Sequence, residues 1–363
     1  MENLPHEIFR IIAGYVEDQT QLVHLACTCQ GLYNNVIPLL WTHITQMPKH
    51  YVETRLLPRH DDFTILHNLN VDRFKGALEE KQVGMFASSS VRTVEFSFTP
   101  WWGEQQFLAA LAFLNRSVFT NINKISIVMT IDHTTADSDL SEQLHDVVSQ
   151  LSAYAAKYKA DLLVQVRSVD QIKYFIPESL KQIIFLRVPV SLIWGSEDHQ
   201  TLAEIAPALT RIKYLELFAS PITPITDHDL QTSLQIPPAP DYSWMAKLPI
   251  TTLKLSEKIT TALVNDSNDL PSGLTEFISR DTQPLIAWHM LIGAASRLTK
   301  LKTVDITRSA FSTSRLMPIS AEPPGKIFPS VQTLRLGFIE PDLVEEIKNT
   351  MPNLKSTAVA LSL

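Results

Sequence analysis

At 363 residues, with 45% hydrophobic and 19% charged residues, the chain can bury a core, and its length allows two units or one long repetitive array. A formal net charge of −7 excludes a mainly electrostatic grip on nucleic acid or an anionic membrane, because such binding needs clustered Lys and Arg and no such cluster occurs along the sequence. The longest apolar run, Ile183 to Trp194, is interrupted by Arg187 and too short to cross a bilayer, and Glu2 with the polar residues after it spoils a secretory signal. Two cysteines, Cys27 and Cys29, sit too close for an ordinary structural disulfide, which points to a reducing compartment, cytosol or nucleus. Both are expected as buried or half-buried small apolar side chains.

The first predicted helix opens at Pro5, a residue suited to a first turn, and carries Ile8, Ile11, Ile12, Tyr15 and Val16 as one apolar stripe. A second, capped by Asp18 or Thr20, steps through Leu22, Leu25, Ala26, Cys29, Leu32 and Tyr33. A third short segment places Leu39, Leu40, Trp41 and Ile44 after Pro38. So small a unit has too little interior to bury all these side chains by itself, so some must pack on another surface.

The order Leu4-Pro5-x-Glu7-Ile8, then Leu22-x-x-Leu25 and Cys29, then Pro38-Leu-Leu-Trp41 resembles the F-box, the docking module of F-box proteins, over residues 1 to 46. The family often has a basic residue and a Trp soon after the cysteine; here Gln30-Gly31-Leu32-Tyr33 follows, and Gly31 weakens a helix by about 1 kcal/mol relative to Ala. The resemblance implies docking to a Skp-type adaptor and, through it, to the cullin and RING subunits of an SCF-type ubiquitin ligase. Carried over by position, the adaptor contacts are Leu4, Pro5, Ile8, Ile12, Leu22, Leu25, Cys29, Pro38, Leu40 and Trp41.

Residues 47–90 mix both charge signs and end in Ala-Ser-Ser-Ser, and read as a helical linker with Leu66, Leu69 and Phe74 opening the next core. Beyond it a phrase recurs. VRTVEF (91–96), ITTLKL (250–255), LKTVDI (301–306) and VQTLRL (331–336) share apolar-x-Thr-apolar-x-apolar; INKISI (122–127), LKQIIF (180–185), IKYLEL (212–217) and LTEFIS (274–279) are looser copies. FPSVQT near 328 and MPNLKS near 351 repeat the approach to it. Helical intervals at 107–114, 140–158, 201–209, 285–298 and 342–351 alternate with these strands.

The expected fold class is therefore α/β: an N-terminal three-helix unit over 1–46, then an irregular solenoid with a curved parallel sheet over 91–363. The second part resembles the irregular leucine-rich repeats found behind F-boxes, although the Asn or Cys that closes each repeat in that family is mostly missing. On the open face of such a sheet the residue between the last two apolar positions is Glu95, Ser126, Ile184, Glu216, Lys254, Ile278, Asp305 or Arg335. These mixed charges suit a protein target, and taken singly each is expected as a solvated strand position.

Enzyme signatures fail on inspection. His6-Glu7 lacks a second His at Arg10, and LIWGSEDH (192–199) has no upstream G-x-S-x-G, so Asp198 is expected in a turn or helix cap. Asp227-His228-Asp229 lacks any second pair with metal-ligand spacing, and no glycine-rich phosphate loop exists. No catalysis, cofactor or metal is expected. The resemblance thus implies a substrate-recognition subunit; the alternative is an interaction scaffold without a ubiquitin role, its hairpin capping the first repeat.

Overall fold

The computed structural model describes residues 92–98, 110, 121–131, 138–190, 197–219, 241–263, 269–280, 284–307, 328–339 and 341–361, with positions 21, 24, 25, 27, 28, 31, 32, 36, 43–45, 65 and 66 before them. The chain divides into two compact units, one of residues 1–167 and 174–182, the other of 168–173 and 183–363.

The first unit holds strands β1 (His43–Thr45), β2 (Ile65–Leu66), β3 (Thr93–Phe98), β4 (Lys124–Met129) and β5 (Asp161–Gln165), all parallel, in the order β2-β1-β3-β4-β5. Strand β3 is buried at all six positions, as parallel strands covered on both faces are. Helix α1 (Ser138–Tyr158) packs beside the neighbouring strand β4: its Leu144, Val147, Val148, Leu151 and Ala155 recur at helical spacing and are each under 5% exposed. It ends in a Schellman motif. Lys159 takes a left-handed φ of 54°, its N–H donates to the Ala156 carbonyl (3.4 Å), and the Ala160 N–H reaches back to the Ala155 carbonyl (3.0 Å). This turn swings the chain directly into β5. A short helix, α2 (Pro177–Leu180), packs on α1, where the Ile176 N–H donates to the buried Ser152 hydroxyl at 3.2 Å.

The second unit holds seven parallel strands in chain order: β6 (Ile183–Val190), β7 (Tyr214–Ala219), β8 (Thr252–Ser256), β9 (Glu276–Arg280), β10 (Thr303–Thr307), β11 (Thr333–Ile339) and β12 (Ser356–Leu361). Parallel neighbours need crossovers, and helices α3 (Glu197–Ile205), α4 (Ser243–Ala246), α5 (Glu257–Leu263), α6 (Pro284–Gly293) and α7 (Pro341–Asn349) lie within them. One side of the sheet is an apolar layer: Leu186, Leu215, Leu253, Phe277, Val304 and Leu334 face one another rung by rung, each fully buried.

The recurring phrase is a turn followed by a strand. Its first apolar residue precedes the strand and anchors the turn: Ile212, Ile250, Leu274, Leu301 and Val331 are all 0% exposed. The next N–H and the one after it share a single carbonyl of the previous repeat. Thus Thr251 and Thr252 donate to the Lys213 carbonyl (2.8 and 2.9 Å), and Lys302 and Thr303 to that of Thr275 (2.7 and 3.0 Å). The pattern continues through Gln332 and Thr333 on Lys302, and through Lys355 and Ser356 on Gln332. In the first unit Asn123 and Lys124 bond Arg92 in the same way.

Helix α4 begins behind an aspartate turn, in which the Ser243 N–H donates to Asp241 Oδ1 at 2.8 Å. The Asp241 carboxyl is held below its ordinary value of 3.8, chiefly by the Ser243 hydroxyl and then by that N–H, with burial acting against them. A lowered folded value means that the stabilisation is complete at neutral pH and is lost as pH falls through the folded value. Asp241→Ala is therefore expected to lower stability by about 1 kcal/mol at pH 7 and by progressively less as pH falls below 3.8 and through the folded value, read from urea midpoints across that range.

Several expectations change. The described part of the predicted second helix is interrupted: Gln21, His24 and Leu25 are helical, but Cys27 and Thr28 form a turn, with the Thr28 hydroxyl donating to the Leu25 carbonyl at 2.7 Å, before helix returns at Gly31 and Leu32. Cys27 is exposed rather than buried or half-buried, since it lies in this turn and off the apolar stripe that runs through Leu25 and Leu32. Ile44 lies in β1 rather than in a helix, and Leu66 in β2; both strands join the first sheet. Asp198 lies in the first turn of α3, as expected of a residue near a helix start.

Candidate protein-interaction face

In the second unit, the face opposite the apolar layer carries a charged rung. Arg187, Glu216, Lys254, Ile278, Asp305, Arg335 and Ala358 stand opposite one another on β6 to β12. At about 4.8 Å between strands, the stretch from Arg187 to Arg335 spans about 24 Å. Uncharged Ile278 separates two clusters.

The first cluster is the more buried. Glu216 Oε1 receives Lys254 Nζ at 2.8 Å and pairs with Arg187 Nε at 3.3 Å, with side-chain exposures of 5%, 17% and 11% for Glu216, Lys254 and Arg187. The Arg187 contact is an ion pair without hydrogen-bond alignment; its Nε and Nη1, like Glu216 Oε2, have no hydrogen-bond partner among the described residues. Burial pushes the guanidinium below its usual value, and the charges of Glu216 and Tyr214 push it back up. The cation also lies over the Phe218 ring, 5.0 Å from its centroid, while Phe185 stacks on Tyr214 at 4.5 Å. Two cations facing one carboxylate leave this part of the face with a net positive charge, although the unpaired Arg187 donors are themselves buried.

The second cluster is looser. Arg335 Nη1 lies 3.5 Å from Asp305 Oδ2, with side-chain exposures of 58% and 11%. A pair so open contributes about 0–1 kcal/mol.

In the first unit Glu95 and Ser126 share a rung between β3 and β4, yet both are 2% exposed. The expectation of solvated positions is thus corrected for Glu95, Ser126, Glu216 and Asp305, all under 9% exposed; Lys254 is half-buried and Arg335 exposed. The reason is side-by-side packing on parallel strands, where each side chain is shielded by the rungs beside it. Ile184 is also displaced from the rung: Phe185 pairs with Tyr214, so Arg187 stands opposite Glu216 and Ile184 falls before it. Arg187 escaped sequence reasoning because it sits inside an otherwise apolar run; a charge at that place was its only signal.

Among the adaptor contacts implied by the resemblance, Leu25 is half-buried. Leu4, Pro5, Ile8, Ile12, Leu22, Cys29, Pro38, Leu40 and Trp41 lie outside the described residues, as do His6, Glu7 and Asp227-His228-Asp229. His199 is buried at the start of α3, edge-on to the Tyr242 ring at 4.8 Å. Among the described residues no group of three or more His, Cys, Asp or Glu is placed to hold a metal, and no helix is long and apolar enough to cross a membrane.

No family model matches the chain, and no curated protein matches it. Among solved structures it is similar to a chain in the crystal structure of the yeast complex of Rad7 and Elc1, with a TM-score of 0.39 and 9% sequence identity. The match covers 79% of this chain and 66% of that one, so the chain spans just under two thirds of the length of this relative.

Proposed function

We propose that this chain is the substrate-recognition subunit of an SCF-type ubiquitin ligase, docking a Skp-type adaptor through residues 1–46 and a protein target through the charged face of the second unit. The observation that carries the reading is the ordered series Leu4-Pro5-x-Glu7-Ile8, Leu22-x-x-Leu25, Cys29 and Pro38-Leu-Leu-Trp41. Anchors of this kind, each contributing about 1.5–3 kcal/mol when removed from water, suffice for a stable interface. The leucine-rich-repeat-like succession of turn, strand and helix supports the second half of the proposal. The reading assigns no catalytic chemistry, cofactor or metal to the chain, and places it in cytosol or nucleus.

Co-expression with a Skp-type adaptor tests it. The wild-type chain is expected to co-purify with the adaptor, and the Leu25→Asp, Trp41→Asp double variant to lose at least 100-fold in affinity by calorimetry; unchanged binding would remove the docking half.

One observation favours the other reading, a scaffold whose N-terminal part caps the repeats: β1 pairs with β3 over three rungs, so residues 43–45 belong to the first sheet. Deleting residues 1–42 leaves this strand in place. A soluble remainder supports the docking role, and an aggregating one the capping role.

A further inference from the structure

The turns that precede β7 to β12 lie together at the strand-start rim of the second sheet, and their composition differs from that of the chain around them. Residues 209–213, 247–251, 270–275, 298–302, 328–332 and 351–355 contain no acidic residue and six exposed cations, Arg211, Lys213, Lys247, Lys300, Lys302 and Lys355, in a chain of net charge −7. No two of these turns are adjacent in sequence, which is why the chain shows no basic cluster when read linearly. The shared-carbonyl pattern gathers them. Lys213, Thr251, Thr275, Lys302, Gln332 and Lys355 form one row, each linked to the next by a backbone hydrogen bond of 2.7–2.8 Å.

The rim is held rigidly. Besides these bonds, the Asn353 amide donates to the Pro329 carbonyl at 2.8 Å and the Ser330 hydroxyl to that of Thr299, tying neighbouring turns together. Lys213, Lys300, Lys302 and Lys355 make no ion pair among the described residues, so their charge is available to a partner.

We propose that this rim binds an extended acidic segment of a protein. The row from β7 to β12 crosses five strand gaps, about 24 Å, which an extended peptide covers with about seven residues. A segment of that length senses the rim and the acidic residues directly beside it, Asp269 and Glu276, more than the rest of the chain, because at physiological salt a charge is screened over about 8 Å. A long phosphate polymer would instead run past the rim onto an acidic chain. The rim also lacks stacking platforms: Phe328, Met351, Leu209, Leu248, Leu298 and Leu270 point inward and are at most 4% exposed. Nor does it present an apolar tip to a bilayer, since the sole exposed large hydrophobic among the described residues is Tyr158, on α1. This surface is separate from the Arg187–Glu216–Lys254 rung, and the inference stands whether or not the chain docks an adaptor.

The test uses the full chain and a fluorescein-labelled hepta-glutamate peptide, read by anisotropy at about 0.15 M ionic strength. Binding is expected, with at least a tenfold loss when Lys213, Lys300, Lys302 and Lys355 are all changed to Gln, and less than a twofold change when Lys157 and Lys258, on α1 and α5, are changed instead. All four are exposed, so the urea midpoint should hold; Lys302→Glu alone, at the middle of the row, is expected to weaken binding about threefold through repulsion within one Debye length. The proposal is overturned if the peptide does not bind, if the four substitutions leave its affinity unchanged, or if a seven-nucleotide oligo-dT or phosphatidylserine vesicles bind more tightly through the same lysines.

Discussion

Replacing Glu216 with alanine is expected to lower the stability of the second unit by about 3–5 kcal/mol, because it would leave a buried cation uncompensated. Glu216 is 4% exposed, and its carboxylate is the common partner of Arg187 and Lys254. Lys254 can turn its ammonium to solvent when the carboxylate is gone, because a lysine stem is flexible. Arg187 cannot do so as readily: its guanidinium lies against Phe218 with little exposure, and would be left charged and uncompensated. Urea denaturation of Glu216→Ala should therefore show a large drop in midpoint, and Lys254→Gln a small one. The double change Arg187→Met, Glu216→Leu should regain most of the loss, since a buried pair replaced by apolar groups of similar volume is often neutral or better. Should Glu216→Ala prove as stable as the wild type, the carboxylate does not compensate a buried charge and the rung is merely a polar surface.

Trp288→Ala should lower stability by a comparable amount, about 3–5 kcal/mol, through loss of transfer energy and the cavity left behind. Trp288 lies on α6, is 2% exposed and meets the equally buried Phe328 ring at 5.3 Å. Phe328 heads the turn before β11, and its N–H donates to the Thr350 carbonyl at 3.1 Å, next to the turn that leads to β12. The ring pair thus joins a crossover helix to the end of the sheet. Phe328→Leu should be much milder, about 1–1.5 kcal/mol, because the volume is largely kept. A double-mutant cycle on the two positions should return a coupling of about 0.5–1.5 kcal/mol; a value near zero would show that the rings are buried side by side without acting together.

Much of the architecture was legible in the chain. Eight recurring phrases each correspond to a strand of β3, β4 or β6 to β11, and the helical intervals at 140–158 and 342–351 correspond to α1 and α7. The strands nonetheless start later than the phrases by about two residues: Thr252, Thr303 and Thr333 begin strands, while Ile250, Leu301 and Val331 are turn anchors. Periodicity alone cannot separate these roles, because an apolar residue in a tight turn and one in a strand are buried alike. Strand β5 went unnoticed for the complementary reason. Its phrase opens with Ala160 and Asp161, too small and too polar to register as a copy, yet the Asp161 N–H donates to the Asn123 carbonyl at 2.7 Å just as its counterparts do.

The amino-acid sequence by itself determined the α/β class, the alternation of strand and helix, and the resemblance of residues 1–46 to a docking module, because each rests on local spacing. Tertiary structure alone decided which charges share a rung, that Arg187 rather than Ile184 stands opposite Glu216, and that single lysines from separate turns form one basic rim. The physical reason is hydrogen-bond register: side chains far apart in the chain become neighbours only when parallel backbones pair, and no pattern within a single strand records which partner rung it will meet.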